Sequence, residues 1–189
     1  LTVPTMNNPI RNNRVRYGVI NINNLKMIVP PNYNNIDIVV LEIDIDSFFP
    51  TKRKYGTYIK TCLESIDVHN NSIDLWGLFK ESECVLPCFY KSVDAIQLEE
   101  NFVFLFENYE GLKGVFYKEK IVTQSIYKNI EKLGYYLLMC RLDGFIDVLY
   151  VNKEHINLYE NFSSVTPISL RLNFMIEDYI NNEAIIVSK

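Results

Sequence analysis

Residues 36–50 alternate aliphatic and acidic side chains, with Leu41, Ile43 and Ile45 interleaved with Glu42, Asp44 and Asp46. A repeat of two predicts a strand carrying three aliphatic groups on one face and three carboxyl groups on the other. Pro50 stops it. Upstream, residues 16–22 and 25–29 read as short strands joined by a turn at Asn23 and Asn24. Pro4, Pro9, Pro30 and Pro31 confine residues 1–35 to an edge-strand extension or an N-terminal arm. Downstream, Ile59, Leu63 and Ile66 have helical spacing, while Tyr58, Ile59 and Cys62 equally suit a strand, so residues 57–68 read as either. Trp76, the single tryptophan, is expected against the core. Residues 86–90, 95–98, 102–106 and 115–122 are apolar clusters separated by turn signals, with Gly111 and Gly114 marking the last turn.

Two helices are expected among these strands. Over residues 123–133, Thr123 suits an N-cap, Ile126, Ile130 and Leu133 line one face, and Gly134 sits where a left-handed C-cap belongs. Over residues 170–181, Leu172, Met175, Ile176 and Tyr179 form an apolar stripe approached by Thr166 and Pro167. Residues 135–140 and 144–151 read as buried strands between them. The expected fold is therefore α+β, a single domain over residues 1–189 with a mainly antiparallel sheet and a few helices.

Composition narrows the function without naming it. A net charge of -4 and a pI near 5.3 disfavour broad nucleic-acid binding, which needs clustered Lys and Arg, and suit a basic protein partner. Arg11, Arg14 and Arg16 are the local exception, read as a solvated arm. Asparagine is over-used, with Ile, Lys and Tyr, as an AT-rich gene would produce. No stretch approaches the roughly 18 to 20 apolar residues of a bilayer span, and residues 1–6 lack the regions of a signal peptide. With only four cysteines, Cys62, Cys84, Cys88 and Cys140, the expectation is a cytoplasmic protein with reduced thiols and no membrane partner.

Candidate chemistry centres on the acidic strand. Glu42, Asp44 and Asp46 repeat every second residue, about 7 Å apart, and can hold a divalent cation if Asp143 or Asp147 adds a ligand. No Gly-rich phosphate loop accompanies them, and a solvated or docking face explains the same alternation. Cys84 and Cys88 lack the second pair or nearby histidines of a zinc site. His69 and His155 are the only histidines; Asp67 near His69 could form a carboxyl–imidazole pair, and a loop histidine is the simpler reading. No Gly-x-Ser-x-Gly elbow is present. No catalytic residue, cofactor or metal is expected. Tyrosines 109, 117, 135, 136, 150 and 159 lie among Glu99, Glu100, Glu107 and Glu110, a mixture that suits either strand packing or the rim of a protein interface.

Several segments together resemble a family. Ser47 to Pro50, Tyr58 to Lys60, Ile66 to Val68, Val93 to Leu98, Phe102 to Phe104, and the run from Tyr117 to Gly134 are similar, in that order, to immunity proteins of bacterial polymorphic-toxin and contact-dependent growth inhibition systems. The likeness covers roughly residues 45–140 and is one of packing pattern, so no catalytic residues carry over. It implies a cytoplasmic protein without catalysis that neutralises a cognate toxin, a nuclease for example, by occluding it. On that reading the docking surface is Glu42, Asp44 and Asp46, or the region holding Glu99, Glu100, Glu107 and Glu110. The alternatives are a metal-dependent enzyme using Asp44 and Asp46, and a viral or phage host-interaction protein.

Overall fold

The computed structural model describes residues 2–5, 15–44, 52–99, 101–151, 155–168 and 184–188. Among these, every regular element is a strand, and the α+β expectation gives way to an all-β fold. The chain divides into two compact units, Leu1–Ile96 with Phe102–Ser125, and Gln97–Asn101 with Ile126–Lys189.

In the first unit, β1 (Thr2–Thr5), β2 (Arg16–Ile20) and β3 (Met27–Tyr33) form a three-stranded antiparallel sheet. The turn between β2 and β3 falls at residues 22–24, where the asparagines place it. Asn21 Oδ1 accepts from the Asn23 N–H at 2.9 Å and Asn24 Oδ1 from the Lys26 N–H at 3.0 Å, the local bonding that makes asparagine a turn residue. A four-stranded antiparallel sheet follows in chain order, β4 (Asn35–Asp44), β5 (Lys52–Ile66), β6 (Ser72–Lys80) and β7 (Glu83–Tyr90). Next come β8 (Ser92–Leu98), β9 (Asn101–Glu107) and β10 (Lys113–Tyr117), consecutive neighbours in a further sheet that continues into β11 (Lys120–Leu133).

Two buried clusters hold this unit. Leu41, Tyr58, Leu78, Leu86, Val93, Phe104, Phe106 and Phe116 form one, with Val39 and a partly buried Trp76 against it. Tyr58 and Phe104 meet edge to face with ring centroids 4.8 Å apart. Val19, Val29, Ile59 and Phe79 form the other, joined by Tyr33 and Ile36. Tyr58 and Ile59 are adjacent in sequence yet belong to different clusters, so β5 is covered on both faces. Continuous burial erases the period of two, which is why residues 57–68 read equally well as helix or strand. Gly114 is corrected as well: it lies inside β10 opposite Phe106, while the turn belongs to Gly111 at φ +80°. A Cβ at Gly114 would meet the Phe106 ring and stand 2.7 Å from the Thr123 carbonyl oxygen, so only glycine fits.

In the second unit, the rest of β11 leads to β12 (Tyr136–Arg141), β13 (Ile146–Val151) and β14 (Ile156–Phe162), antiparallel neighbours in that order. β15 (Ser164–Ile168) and β16 (Ala184–Ser188) form a separate antiparallel pair. The helix expected over residues 123–133 is strand β11. Thr123 is buried, and its hydroxyl accepts the Val115 N–H at 3.0 Å instead of capping a helix. Gly134 opens a two-residue hairpin turn with φ +53°, joining Leu133 to its partner Tyr136. The expected apolar face does not hold, because Ile126 is 47% exposed, and a bulge sets the spacing that burial follows instead. Tyr127 pairs with Arg141 but Asn129 pairs with Cys140, so one extra residue switches the inward positions from odd to even. Burial therefore falls on Thr123, Tyr127 and Ile130, spaced four and three apart like a helix face. The second expected helix, residues 170–181, lies outside the described residues. Among the described residues no helix is long and apolar enough to cross a membrane.

Candidate functional site

Ile36, Ile38, Val39, Val40 and Ile43 make β4 a strong strand former through their β-branched side chains. It is the first strand of its sheet, and no other described strand pairs with its outer edge. The alternation splits its faces. Val39 and Leu41 turn into the core, and Ile36 packs at the margin of the opposite cluster. Ile38 and Val40 share the face of Ile36 but run past its cover, leaving them 62% and 45% exposed. Asp37 and Glu42 are exposed too.

The register with β5 gives the acids a context that their spacing alone did not reveal. Asp37 stands opposite Lys60, Glu42 opposite Lys54 and Asp44 opposite Lys52. The ladder slips by one residue between Leu41 and Glu42, leaving Tyr55 as the extra residue on β5. Opposite charges facing one another across an antiparallel ladder favour it, so the register is compatible with the acid alternation. Lys60 is drawn elsewhere. Its ammonium lies 3.3 Å from Asp94 Oδ1 and 4.5 Å over the Trp76 ring, away from Asp37. Asp46, the last acid of the expected ladder, lies outside the described residues, as does Glu100.

The remaining expected residues do not converge. Glu99 occupies the turn after β8 with a left-handed φ of +48°. Glu107 closes β9 and pairs with Lys91 at 2.6 Å, and Glu110 is exposed in the following turn. Asp67 binds backbone rather than imidazole: its Oδ1 accepts from the His69 and Asn71 N–H groups, each at 2.8 Å. Burial raises the thiols of Cys62, Cys84 and Cys88, that of Cys62 to about 12, which makes them poor nucleophiles. Tyr135, Tyr136 and Tyr150 stack among themselves, and the Tyr109 hydroxyl donates to the Asp74 carbonyl. Among the described residues, no three His, Cys, Asp or Glu side chains gather closely enough to hold a metal ion.

Asp143 and Asp147, the acids considered as further metal ligands, belong to a network of their own. Asp147 on β13 is fully buried. Its Oδ2 accepts from the Tyr127 hydroxyl at 2.9 Å and lies 3.7 Å from Arg141 Nη1, while Oδ1 accepts from the Asn161 N–H at 2.8 Å. Arg141 in turn donates to Asn161 Oδ1 at 2.9 Å and to Asp143 Oδ2 at 2.8 Å. Burial, then the bond to Asp147, pushes the Tyr127 hydroxyl above its ordinary value, and the Arg141 bond holds Asp143 below the usual carboxylate range. Tyr159 pairs with Val148 and Phe162 with Ile146, so Glu160 and Asn161 together oppose Asp147. Asn161 sits at φ +67°, and the buried carboxyl group pins that bulge. The sequence signal was available: a lone acid inside the apolar run of residues 146–151 is a group that must be paired if buried.

Beyond the bulge, β14 is the edge strand of its sheet and six of its seven residues are exposed, Ile156, Leu158 and Tyr159 among them. Sequence reasoning did not identify this edge, because a seven-residue segment with only partial alternation carries little periodic signal. No family model, curated protein or solved structure matches the chain.

Proposed function

We propose that this protein acts by binding another protein, and that neutralising a toxin by occlusion, as the immunity-protein resemblance implies, is that role. The observation supporting a binder is the state of its sheet edges. β4 and β14 end their sheets with apolar side chains exposed along an edge that no other described strand covers. Proteins ordinarily blunt such edges with prolines, inward charges or a covering element, because an open apolar edge pairs with other chains. An edge left open serves docking by strand addition, in which main-chain bonds give affinity and alternate side chains give specificity. The acidic balance of the chain favours a basic partner and speeds its encounter. Four cysteines that are all free thiols fit action in the reducing cytoplasm.

Co-expression with the toxin encoded beside this gene tests the reading. The expected result is a one-to-one complex by size-exclusion chromatography together with restored growth. Growth arrest without a complex overturns it.

A further inference from the structure

We infer that the outer edge of β4 takes an extended, basic protein segment as an added antiparallel strand, with the pattern Lys/Arg-x-apolar-x-apolar-Lys/Arg. This rests on the binding role proposed above and names its edge and the chemistry of its partner. Read along β4, Asp37, Ile38, Val40 and Glu42 set the complement. Residues directly opposite one another in an antiparallel pair share a face, so two apolar side chains two residues apart would cover the exposed Ile38 and Val40. A basic residue would meet Asp37, whose opposite lysine is engaged by Asp94 and the Trp76 ring, and another would meet the Glu42 position. β5 presents related residue types across the ladder on the inner side. Its Lys60, Ile59 and Lys54 stand opposite Asp37, Ile38 and Glu42.

A second copy of the chain satisfies the edge poorly. Antiparallel self-pairing that sets Ile38 against Val40 puts Asp37 opposite Leu41 and Glu42 opposite Ile36. Moving the register by one brings Asp37 opposite Glu42, a like-charge apposition. Charge thus selects a basic heterologous segment over self-association.

The test uses the full chain and a fluorescent peptide, Thr-Lys-Thr-Val-Thr-Val-Lys-Thr, followed by anisotropy. Saturable binding is expected, weakened about tenfold by Asp37→Lys and recovered when the peptide's second Lys is changed to Glu. Ile38→Lys should also weaken it, and alternate backbone N-methylation of the peptide should abolish it by removing strand donors. Absence of saturable binding, or binding that survives N-methylation, overturns the strand-addition mode. A dimer that dissociates on Ile38→Lys overturns the choice of occupant in favour of a second copy. If a protein complex forms but survives both Asp37→Lys and Ile38→Lys, binding stands and the β4 edge is wrong. If no protein complex forms while the peptide binds as described, the edge stands and the toxin-neutralising role falls.

Discussion

β4 and β13 both place carboxyl groups within apolar runs, and the fold treats them in opposite ways. On β4, Asp37 and Glu42 stay exposed at a sheet edge, with cross-strand lysines set opposite by the register. On β13, Asp147 is fully buried and holds Tyr127, Asn161 and Arg141 around one bulge. An exposed carboxylate keeps its hydration and contributes little to stability, while a buried one is tolerated only with its bonding capacity filled. The same residue type therefore sits hydrated at a sheet edge in one place and acts as a structural pin in the other. Sequence alternation drew attention to the first, and burial identifies the second.

The largest effect that separates the two should come from Asp147→Ala. It strands the Tyr127 hydroxyl and the Asn161 N–H, and leaves Arg141 without its buried partner, at a cost of about 3 kcal/mol or more. Urea unfolding would show this as a lowered midpoint, with Tyr127→Phe costing less because it removes one donor and leaves the rest of the network. Equal midpoints for wild type and Asp147→Ala would break the comparison. Gly114→Ala supplies an uncharged control. Its methyl group would press on the Phe106 ring and the Thr123 carbonyl, and overpacking of this kind costs about 1–3 kcal/mol. A loss near zero would mean that β10 yields easily at this point.

How much of this was legible in the sequence follows from the same physics. β2 was readable from a short apolar run beside the Asn23 and Asn24 turn, and β4 from the alternation of Leu41 and Ile43 with Glu42 and Asp44. β5 was ambiguous because both of its faces are buried, and β11 read as a helix because Ile126, Ile130 and Leu133 recur at helical spacing although Ile126 is exposed. Gly134 compounded that error, since a helix C-cap and a hairpin turn both demand a positive φ. The acid ladder was visible, but its lysine partners on β5 were not, because their pairing depends on a register that only the folded sheet defines. The Asp147 network was hidden for a related reason: its members come from β11, β12, β13 and β14.

On β4 the expected effects on stability are small and those on binding large. Asp37→Lys should move the unfolding midpoint by no more than about 0.5 kcal/mol, as exposed charges usually do, while it weakens the basic peptide. A stability loss comparable to that of Asp147→Ala would show that Asp37 is structural, and would remove the distinction between the two strands.

Asp143 lies between these cases and gives the smallest, pH-dependent effect. It is exposed, yet it bonds Arg141, which also reaches Asp147. Because Arg141 lowers its folded pKa below the unfolded value, its contribution is complete above that unfolded value, about 3.9, and is lost as pH falls through the folded one. Asp143→Asn should therefore lower the denaturation midpoint slightly at neutral pH and converge with wild type in acid. Asp147→Ala leaves hydrogen-bond donors unsatisfied at any pH, so its deficit should persist where the Asp143 effect has vanished. Parallel denaturation series at neutral and acidic pH would separate the two carboxyl groups. An Asp143→Asn deficit that stays constant into acid would show that the negative charge of Asp143, and hence its pairing with Arg141, is not the source of the effect.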